Sequence, residues 1–401
     1  MGKINNIKCL IAIIFLGLFF CGQYYIDFGF ALKPYMLGAG VIFLFYILPF
    51  RKKYRFSRTD GILLVFLVTM LMSLIFSKDS DASIRFFLGT CLIVFCYLQY
   101  KTFIFSYLNK EIFEKAVAFI GLIYGVLVGI NYVLGLFFFN FNFYGNDISA
   151  YGVLIDRSIP RLITFASDDP NISFLFLSFF LCFYLCNLKK SEHYIGFAMY
   201  FGLCMLTMSR AAYISISVMI LLFVLHNKRE TLNKKFFNSI VVVLSVSIIV
   251  FTVSVLFDID IIETMLNRFG SDSAGSSSVR LTLWKNALHT FVDYPIVGIG
   301  INSSLFYNLF TYGTFYYIHN TYLEVLSEVG FFGFVVYILL LLDIFVKNRN
   351  NRSVSLFPYC YTVSIFIQNF FLSTLINEMF FVLLITTSIY NEFRLNKINN
   401  K

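Results

Sequence analysis

The chain has 401 residues, of which 59% are hydrophobic and only 13% are charged. A water-soluble fold cannot bury so large an apolar fraction, so the composition predicts a polytopic membrane protein. The net charge of +9 does not indicate nucleic-acid binding. The basic residues fall in short clusters between apolar runs, as expected for loops that face anionic lipid.

Apolar windows long enough to cross, or nearly cross, about 30 Å of hydrocarbon recur along the sequence. We therefore predict an all-α fold with about twelve membrane-spanning helices in a single membrane domain, residues 1–401. The first window resembles a signal peptide but lacks a clear cleavage site, so we interpret it as a retained helix. The predicted spans are 9–26, 34–50, 61–77, 83–100, 116–138, 172–188, 194–209, 211–226, 239–257, 328–346, 355–373 and 376–393.

The distribution of lysine and arginine predicts the orientation, because short cytoplasmic loops retain these residues and translocated loops shed them. With the N-terminus inside, 22 of the 31 basic residues fall on the cytoplasmic side, and both termini are cytoplasmic. The same rule requires residues 194–226 to cross twice. Arg210 would then lie near the outer turn of a tight helical hairpin.

Two connections, residues 139–171 and 258–320, are too long to be simple turns, and both fall on the outer side. In the second, the serine-rich segment 271–278 predicts a flexible link that ends in a helix cap. An apolar stripe at helical spacing then predicts an amphipathic helix over 279–293 on the outer leaflet. Membrane anchoring through Trp284 would explain most of this helix. The stripe consists of Leu281, Trp284, Leu288 and Phe291, with Arg280, Lys285, Asn286, His289 and Asp293 facing elsewhere.

Five arginines lie in or beside the outer loops and the hairpin, and they suit a diphosphate, because a guanidinium fork donates two parallel hydrogen bonds. A lipid diphosphate is therefore the candidate substrate. Alternatively, these arginines pair with Asp156, Asp168, Asp169 or Glu263, or reach lipid phosphate. Arg210 fits that alternative least, because a lone charge between two apolar helices is costly and usually functional. The five are Arg157, Arg161, Arg210, Arg268 and Arg280.

The segment from Tyr316 to Gly333 brings a histidine, an amide and two carboxylates to the mouth of a predicted membrane helix. A neutral imidazole at His319 could take a proton from a sugar hydroxyl, with a carboxylate orienting it. A structural interfacial histidine explains the residue equally well. We predict no cofactor, since metal-ligand spacing and a phosphate-binding glycine loop for ATP are both absent from the sequence.

The sequence His319-Asn320, nine residues and Gly330-Phe-Phe-Gly333 resembles a motif of the bacterial O-antigen polymerase and O-antigen ligase superfamily. Further elements are similar: Ser209-Arg210 at a helix end, Val279-Arg280 followed by Trp284, and the Gly298-Ile-Gly300 turn. Arg161 with Pro170-Asn171 resembles an earlier loop element, although Asp168-Asp169 replaces its usual glycine-rich filling.

The resemblance implies a glycosyltransferase of GT-C-like architecture that acts, without a metal, on a glycan linked to undecaprenyl diphosphate at the periplasmic face of the inner membrane. Arg210 and Arg280 would hold the diphosphate leaving group, and His319 would activate or position the acceptor hydroxyl. We assign substrate binding to Arg157, Arg161, Asn320 and Glu324. Membrane lipid and a chain-length regulator protein are the other candidate partners, and no nucleic acid is expected.

Polymerase and ligase share these motifs and differ in the acceptor, which is a second lipid-linked glycan or lipid A-core. The chain is rich in phenylalanine and asparagine and poor in tryptophan, as in the variable polysaccharide polymerases that it resembles. This favours the polymerase. A transporter of lipid-linked glycans is a third hypothesis, but the notable polar groups gather on one side, which argues against transport.

Overall fold

The computed structural model describes residues 2–22, 24–27, 31–51, 53–188, 191–226, 273–313, 315–375 and 377–399. The predicted span 239–257, the basic cluster at 228–235, and Glu263 and Arg268 lie outside the described residues. The described helices are α1 (Gly2–Gly17), α2 (Pro34–Ile42), α3 (Arg58–Leu74), α4 (Ser80–Tyr107), α5 (Lys110–Phe138), α6 (Pro170–Cys186), α7 (Ser191–Leu206), α8 (Arg210–His226), α9 (Ser273–Asp293), α10 (Ser304–Tyr312), α11 (Thr321–Glu328), α12 (Gly330–Asn351), α13 (Phe357–Gln368) and α14 (Glu378–Asn399).

The other eleven predicted spans each overlap one of these helices. By length and composition, three segments are long and apolar enough to cross a membrane: Ser80–Ile104, Lys110–Phe138 and Gly330–Asn351. The structure is therefore mostly helical and consistent with a membrane protein. Twelve crossings remain a prediction.

The first long loop, 139–171, folds into a small antiparallel sheet that the all-α prediction missed. Its strands are β3 (Ile148–Ala150), β4 (Val153–Asp156) and β5 (Ile159–Leu162). Earlier in the chain, the two-residue strands β1 (Ile26–Asp27) and β2 (Ala31–Leu32) pair in antiparallel orientation. Val153 of β4 packs so closely on α5 that a Cβ on Gly135 would lie 2.6 Å from its Cγ2 atom. Strands of three or four residues carry too weak a periodicity to be distinguished from a loop.

Helix α6 lies at the centre of the fold, and every side chain from Ser173 to Leu185 is buried. Its sequence is apolar on all faces, which is typical of a helix surrounded by other helices. It packs against α5, α7, α8 and α13. Asp169 caps its first turn by accepting a hydrogen bond of 2.7 Å from the backbone N–H of Asn171.

Helix α3 makes polar contacts at both of its ends. In its first turn, Asp60 forms a buried salt bridge with Lys101. In its last turn, Ser73 donates a hydrogen bond of 2.6 Å to the backbone carbonyl of Glu328. At 1.5 Å per residue, these ends lie about 20 to 25 Å apart. Lys347 of α12 also contacts Thr59, so residues from three predicted cytoplasmic clusters, 51–58, 101–115 and 347–352, lie at the end of α3 opposite Glu328.

Candidate functional site

Four of the outer-loop arginines and His319 line one cavity of about 320 Å³. They come from the β4–β5 hairpin, the start of α8, the first described side chains of α9 and the segment before α11. A positively charged cavity of this kind suits a ligand with several anionic oxygens. The charged and ionisable lining residues are Asp156, Arg157, Arg161, Arg210, Arg280 and His319.

Arg210 is the first residue of α8, which follows a short break after α7. The helical interruption predicted at this arginine is confirmed, and the left-handed backbone of Met208 (φ +48°) makes the turn. The start of a helix presents free N–H groups and a partial positive charge. At Arg210 this dipole and a guanidinium therefore lie at the same wall of the cavity.

Arg280 lies on α9, which begins at Ser273, so the prediction of a flexible link through Ser278 is wrong. The predicted apolar stripe lies in part on the exposed face of the helix, and its contact with the outer leaflet stays a prediction. Leu281 and Leu288 are 55% and 47% exposed, whereas Leu283 and Ala287 are buried, as is Asn286. The helix packs on α11 as well as presenting an apolar face outward. Arg280 precedes Leu283 by three residues, which places it on the packed face beside the cavity.

Arg161 is only 5% exposed, and its guanidinium is held by three groups of the protein. It donates 2.8 Å to Asp156, 3.1 Å to the carbonyl of Thr207 and 3.4 Å to Asn171. The structure therefore bears out pairing with Asp156, the alternative left open by the sequence. These bonds fix the hairpin to the turn before Arg210.

Arg157 differs from Arg161, because its side chain is exposed and lies in the two-residue turn between β4 and β5. Arg157 and Ser158 have φ values of +55° and +61°. Such left-handed pairs are typical of two-residue hairpin turns, whose twist matches that of the strands. The turn therefore places the long, exposed side chain of Arg157 at the edge of the cavity.

His319 also has a left-handed backbone (φ +53°), and its N–H donates 2.9 Å to the hydroxyl of Ser373. Burial and the neighbouring charge of Arg280 lower the pKa of the imidazole below its usual 6.5, against a smaller opposing effect of Asp169. A lowered pKa keeps the ring neutral at neutral pH, with one nitrogen able to accept a proton.

Asn320 caps α11, since its side-chain oxygen accepts from the backbone N–H groups of Tyr322 (3.0 Å) and Leu323 (3.2 Å). Asn and Asp are strongly preferred at this position for that reason. The structure thus gives Asn320 a local structural role. Its assignment to substrate binding remains a prediction.

A second cavity, of about 370 Å³, lies on the other side of His319, which lines both. It contains Asp169 and Glu324, together with Asn302, Ser373, Thr374 and Asn377, and several apolar side chains. Burial, and then the neighbouring Glu328, raise the pKa of Glu324 well above its usual 4.5. The second cavity therefore differs from the first in having no lysine or arginine among its described lining residues.

Residues 195–338 match the family model Wzy_C, described as O-antigen ligase. This match supports the O-antigen polymerase and ligase superfamily. The matched range contains Arg210, Arg280 and His319, whereas Arg157 and Arg161 precede it. None of the curated proteins matches the chain.

The glycines of the superfamily-like motifs permit one close backbone contact. Gly298 (φ +70°) and Gly330 (φ +75°) pack against each other's segments, and a Cβ on Gly298 would lie 2.3 Å from the carbonyl carbon of Glu328. The Glu328 carboxylate accepts from the backbone N–H groups of Asn302 (2.7 Å) and Ser304 (3.0 Å). The motif therefore fixes the end of α11 to the segment that contains Gly298.

The loop between α13 and α14, residues 369–377, contributes to both cavities and was missed from the sequence. Thr321 joins it to α11 by accepting from Thr374 N–H (3.0 Å) and donating to the carbonyl of Leu372 (2.6 Å). The available signal was the run of asparagine, serine and threonine between two apolar windows. The sequence predicts Asp169 only as a partner for arginine. Within the described ranges, no group of three or more His, Cys, Asp or Glu side chains is placed to hold a metal ion.

Proposed function

We propose that the protein polymerises undecaprenyl-diphosphate-linked oligosaccharide repeat units by glycosyl transfer on the periplasmic face of the bacterial inner membrane. The observation that carries this proposal is the convergence of Arg157, Arg161, Arg210 and Arg280 on one cavity with His319. That cavity offers what a glycosyl diphosphate needs, which is cationic donors for the leaving group and a base beside the reacting carbon.

The donor's diphosphate would lie between Arg210 and Arg280. Forked guanidinium groups and the start of α8 stabilise the charge that develops as the bond to the anomeric carbon breaks. Arg157 would contact the outer phosphate from the rim. Arg161, which is held by Asp156 and Thr207, would act chiefly by keeping this wall in place.

His319 would accept the proton of the acceptor hydroxyl. As the hydroxyl oxygen forms its bond to the anomeric carbon, the carbon–oxygen bond to the diphosphate breaks and the diphosphate leaves with the electron pair. The lowered pKa of His319 supports this role, because the imidazole must begin neutral. The energy comes from the activated donor bond.

The orientation predicted from the basic residues places both cavities outside the cytoplasm. The separation along α3 supports it, since the Asp60–Lys101 pair and Glu328 are at opposite ends. The same proposal includes a periplasmic location for both cavities, cytoplasmic termini and a chain-length regulator protein as partner.

Ligation of finished O-antigen to lipid A-core is the second candidate, and the description of the matched family model favours it. The two reactions would use the same diphosphate cavity with different acceptors. A transporter would bind the diphosphate without breaking the glycosyl bond.

The test is a deletion strain whose surface polysaccharide is separated on a gel, with wild-type and Arg210→Ala genes supplied on a plasmid. Single repeat units on lipid A-core would indicate a lost polymerase, and polymer that stays on the lipid carrier would indicate a lost ligase. Complementation by the wild type but not by the variant is expected. An unchanged pattern in the deletion strain would contradict both proposed reactions.

A further inference from the structure

The second cavity contains a buried carboxyl group that the proposed chemistry leaves unused. Glu324 is only 8% exposed and lines the cavity wall. Its Oε2 atom has no hydrogen-bond partner among the described residues. Buried polar atoms without a partner are costly, and such an atom at a cavity wall is commonly completed by a ligand or water.

The two cavities differ in the charge of their lining residues, so they favour different ligands. The first cavity is lined by four arginines, whereas Asp169 and Glu324 are the ionisable carboxyl groups of the second. None of the described residues that line the second cavity is a lysine or arginine. A diphosphate is therefore favoured in the first cavity and disfavoured in the second.

The uncharged polar side chains that line the second cavity suit a saccharide. Hydroxyl and amide groups of Asn302, Ser373, Thr374 and Asn377 can pair with sugar hydroxyls, and Phe86 offers an apolar surface to sugar C–H groups. A volume of about 370 Å³ lies within the usual size range of small-molecule sites.

We propose that the second cavity binds the terminal sugar of the acceptor glycan, with Glu324 hydrogen-bonded to one hydroxyl group of that sugar. This inference rests on the proposed function and adds the acceptor's binding site to it. Because burial favours the neutral carboxyl group, Glu324 can both donate and accept a hydrogen bond. Ser373, which interacts with Glu324 and accepts from His319 N–H, then connects sugar binding to the imidazole.

The experiment uses the full-length protein, purified in detergent, and a lipid-free oligosaccharide. Mild acid releases this probe from the lipid-linked repeat units that accumulate in the deletion strain, and a fluorophore marks its reducing end. Fluorescence anisotropy then gives its dissociation constant. Glu324→Gln should bind within about threefold of the wild type, because an amide also donates and accepts. Glu324→Ala and the volume-preserving Glu324→Met should weaken binding about tenfold or more.

Asp60→Asn is the control, because Asp60 is also a buried carboxyl group but pairs with Lys101 at the far end of α3 and lines neither cavity. It should lower thermal stability and leave oligosaccharide affinity unchanged. Inorganic diphosphate should not displace the oligosaccharide from the wild type. Displacement by diphosphate, or unchanged affinity in a folded Glu324→Ala or Glu324→Met protein, would overturn the inference.

The same preparations separate this inference from the proposed function. Arg210→Ala should lose affinity for undecaprenyl diphosphate and keep its affinity for the oligosaccharide. If Arg210→Ala binds undecaprenyl diphosphate as the wild type does, the donor site is wrong and the sugar site can still stand. If only the Glu324 results disagree, the donor site stands and the sugar site falls.

Discussion

The backbone N–H of His319 donates a hydrogen bond of 2.9 Å to the hydroxyl of Ser373, which lies in the loop between α13 and α14. His319 has a left-handed backbone, which a residue with a side chain adopts only at a cost of about 1 to 2 kcal/mol. The hydroxyl of Ser373 therefore helps to hold the imidazole between the two cavities.

Ser373→Ala should lower the rate of glycosyl transfer about tenfold, because losing one hydrogen bond is worth about 1 kcal/mol and loosens the imidazole. Ser373→Thr keeps the hydroxyl and should recover most of the rate. The measurement is product formation by purified protein on isolated lipid-linked repeat units. Equal loss in both variants would mean that the loop acts through packing alone.

The pH dependence of the reaction should report the charges around His319. Only the neutral imidazole is a base, and its pKa is below 6.5, so activity should persist at pH 6.5 and fall at lower pH. Arg280→Gln removes a positive charge, raises the pKa of His319 and should move the acid limb to higher pH. Asp169→Asn removes a negative charge and should move the limb to lower pH. The measurement is the pH–rate profile of each variant's residual activity. If the two profiles shift in the same direction, or do not shift, the assignment is wrong.

The two neighbouring arginines of the hairpin should behave differently. Arg161→Ala should reduce the amount of folded protein, because it breaks the buried salt bridge with Asp156 and the hydrogen bonds to Thr207 and Asn171. Arg157→Ala should leave the folded amount unchanged and raise the KM for the lipid-linked donor about threefold to tenfold. Size-exclusion profiles and donor titrations check both results. The opposite pattern would make Arg161 a binding residue and Arg157 a structural one.

Substitutions at Gly298 and Gly313 test the close backbone contact between Gly298 and Glu328. Both have left-handed backbones (φ +70° and +65°), but only Gly298 packs against Glu328, while nothing lies within 4 Å of a Cβ on Gly313. Gly313→Ala should cost about 1 kcal/mol of stability through backbone conformation. Gly298→Ala adds a clash and should lower the thermal midpoint much further. Equal midpoints in detergent would show that this contact does not matter.

The sequence predicted the parts of the site that depend on local chemistry. The break at Arg210, the helical segment bearing Arg280 and the polar residues before α12 follow from charge and apolar periodicity. It could not predict that Arg161 is occupied by Asp156 and Thr207, because the β4–β5 hairpin that brings them together is too short to leave a periodic signal.

Tertiary packing adds two features that the sequence does not predict. Helix α9 packs on α11 and buries Leu283 and Ala287, in addition to exposing the predicted apolar residues Leu281 and Leu288. The contribution of Ser373 depends on a contact across 54 residues of sequence, which no local pattern carries.

The central claim is that His319 acts as the base between a diphosphate site and an acceptor site. The most direct measurement is the release of undecaprenyl diphosphate, coupled to glycan elongation, by His319→Ala and His319→Gln proteins that retain donor affinity. Removal of a general base typically costs about 10² to 10⁴ in rate, and glutamine cannot accept the proton at neutral pH, so both variants should show this loss. Wild-type rates in both variants would contradict the mechanism.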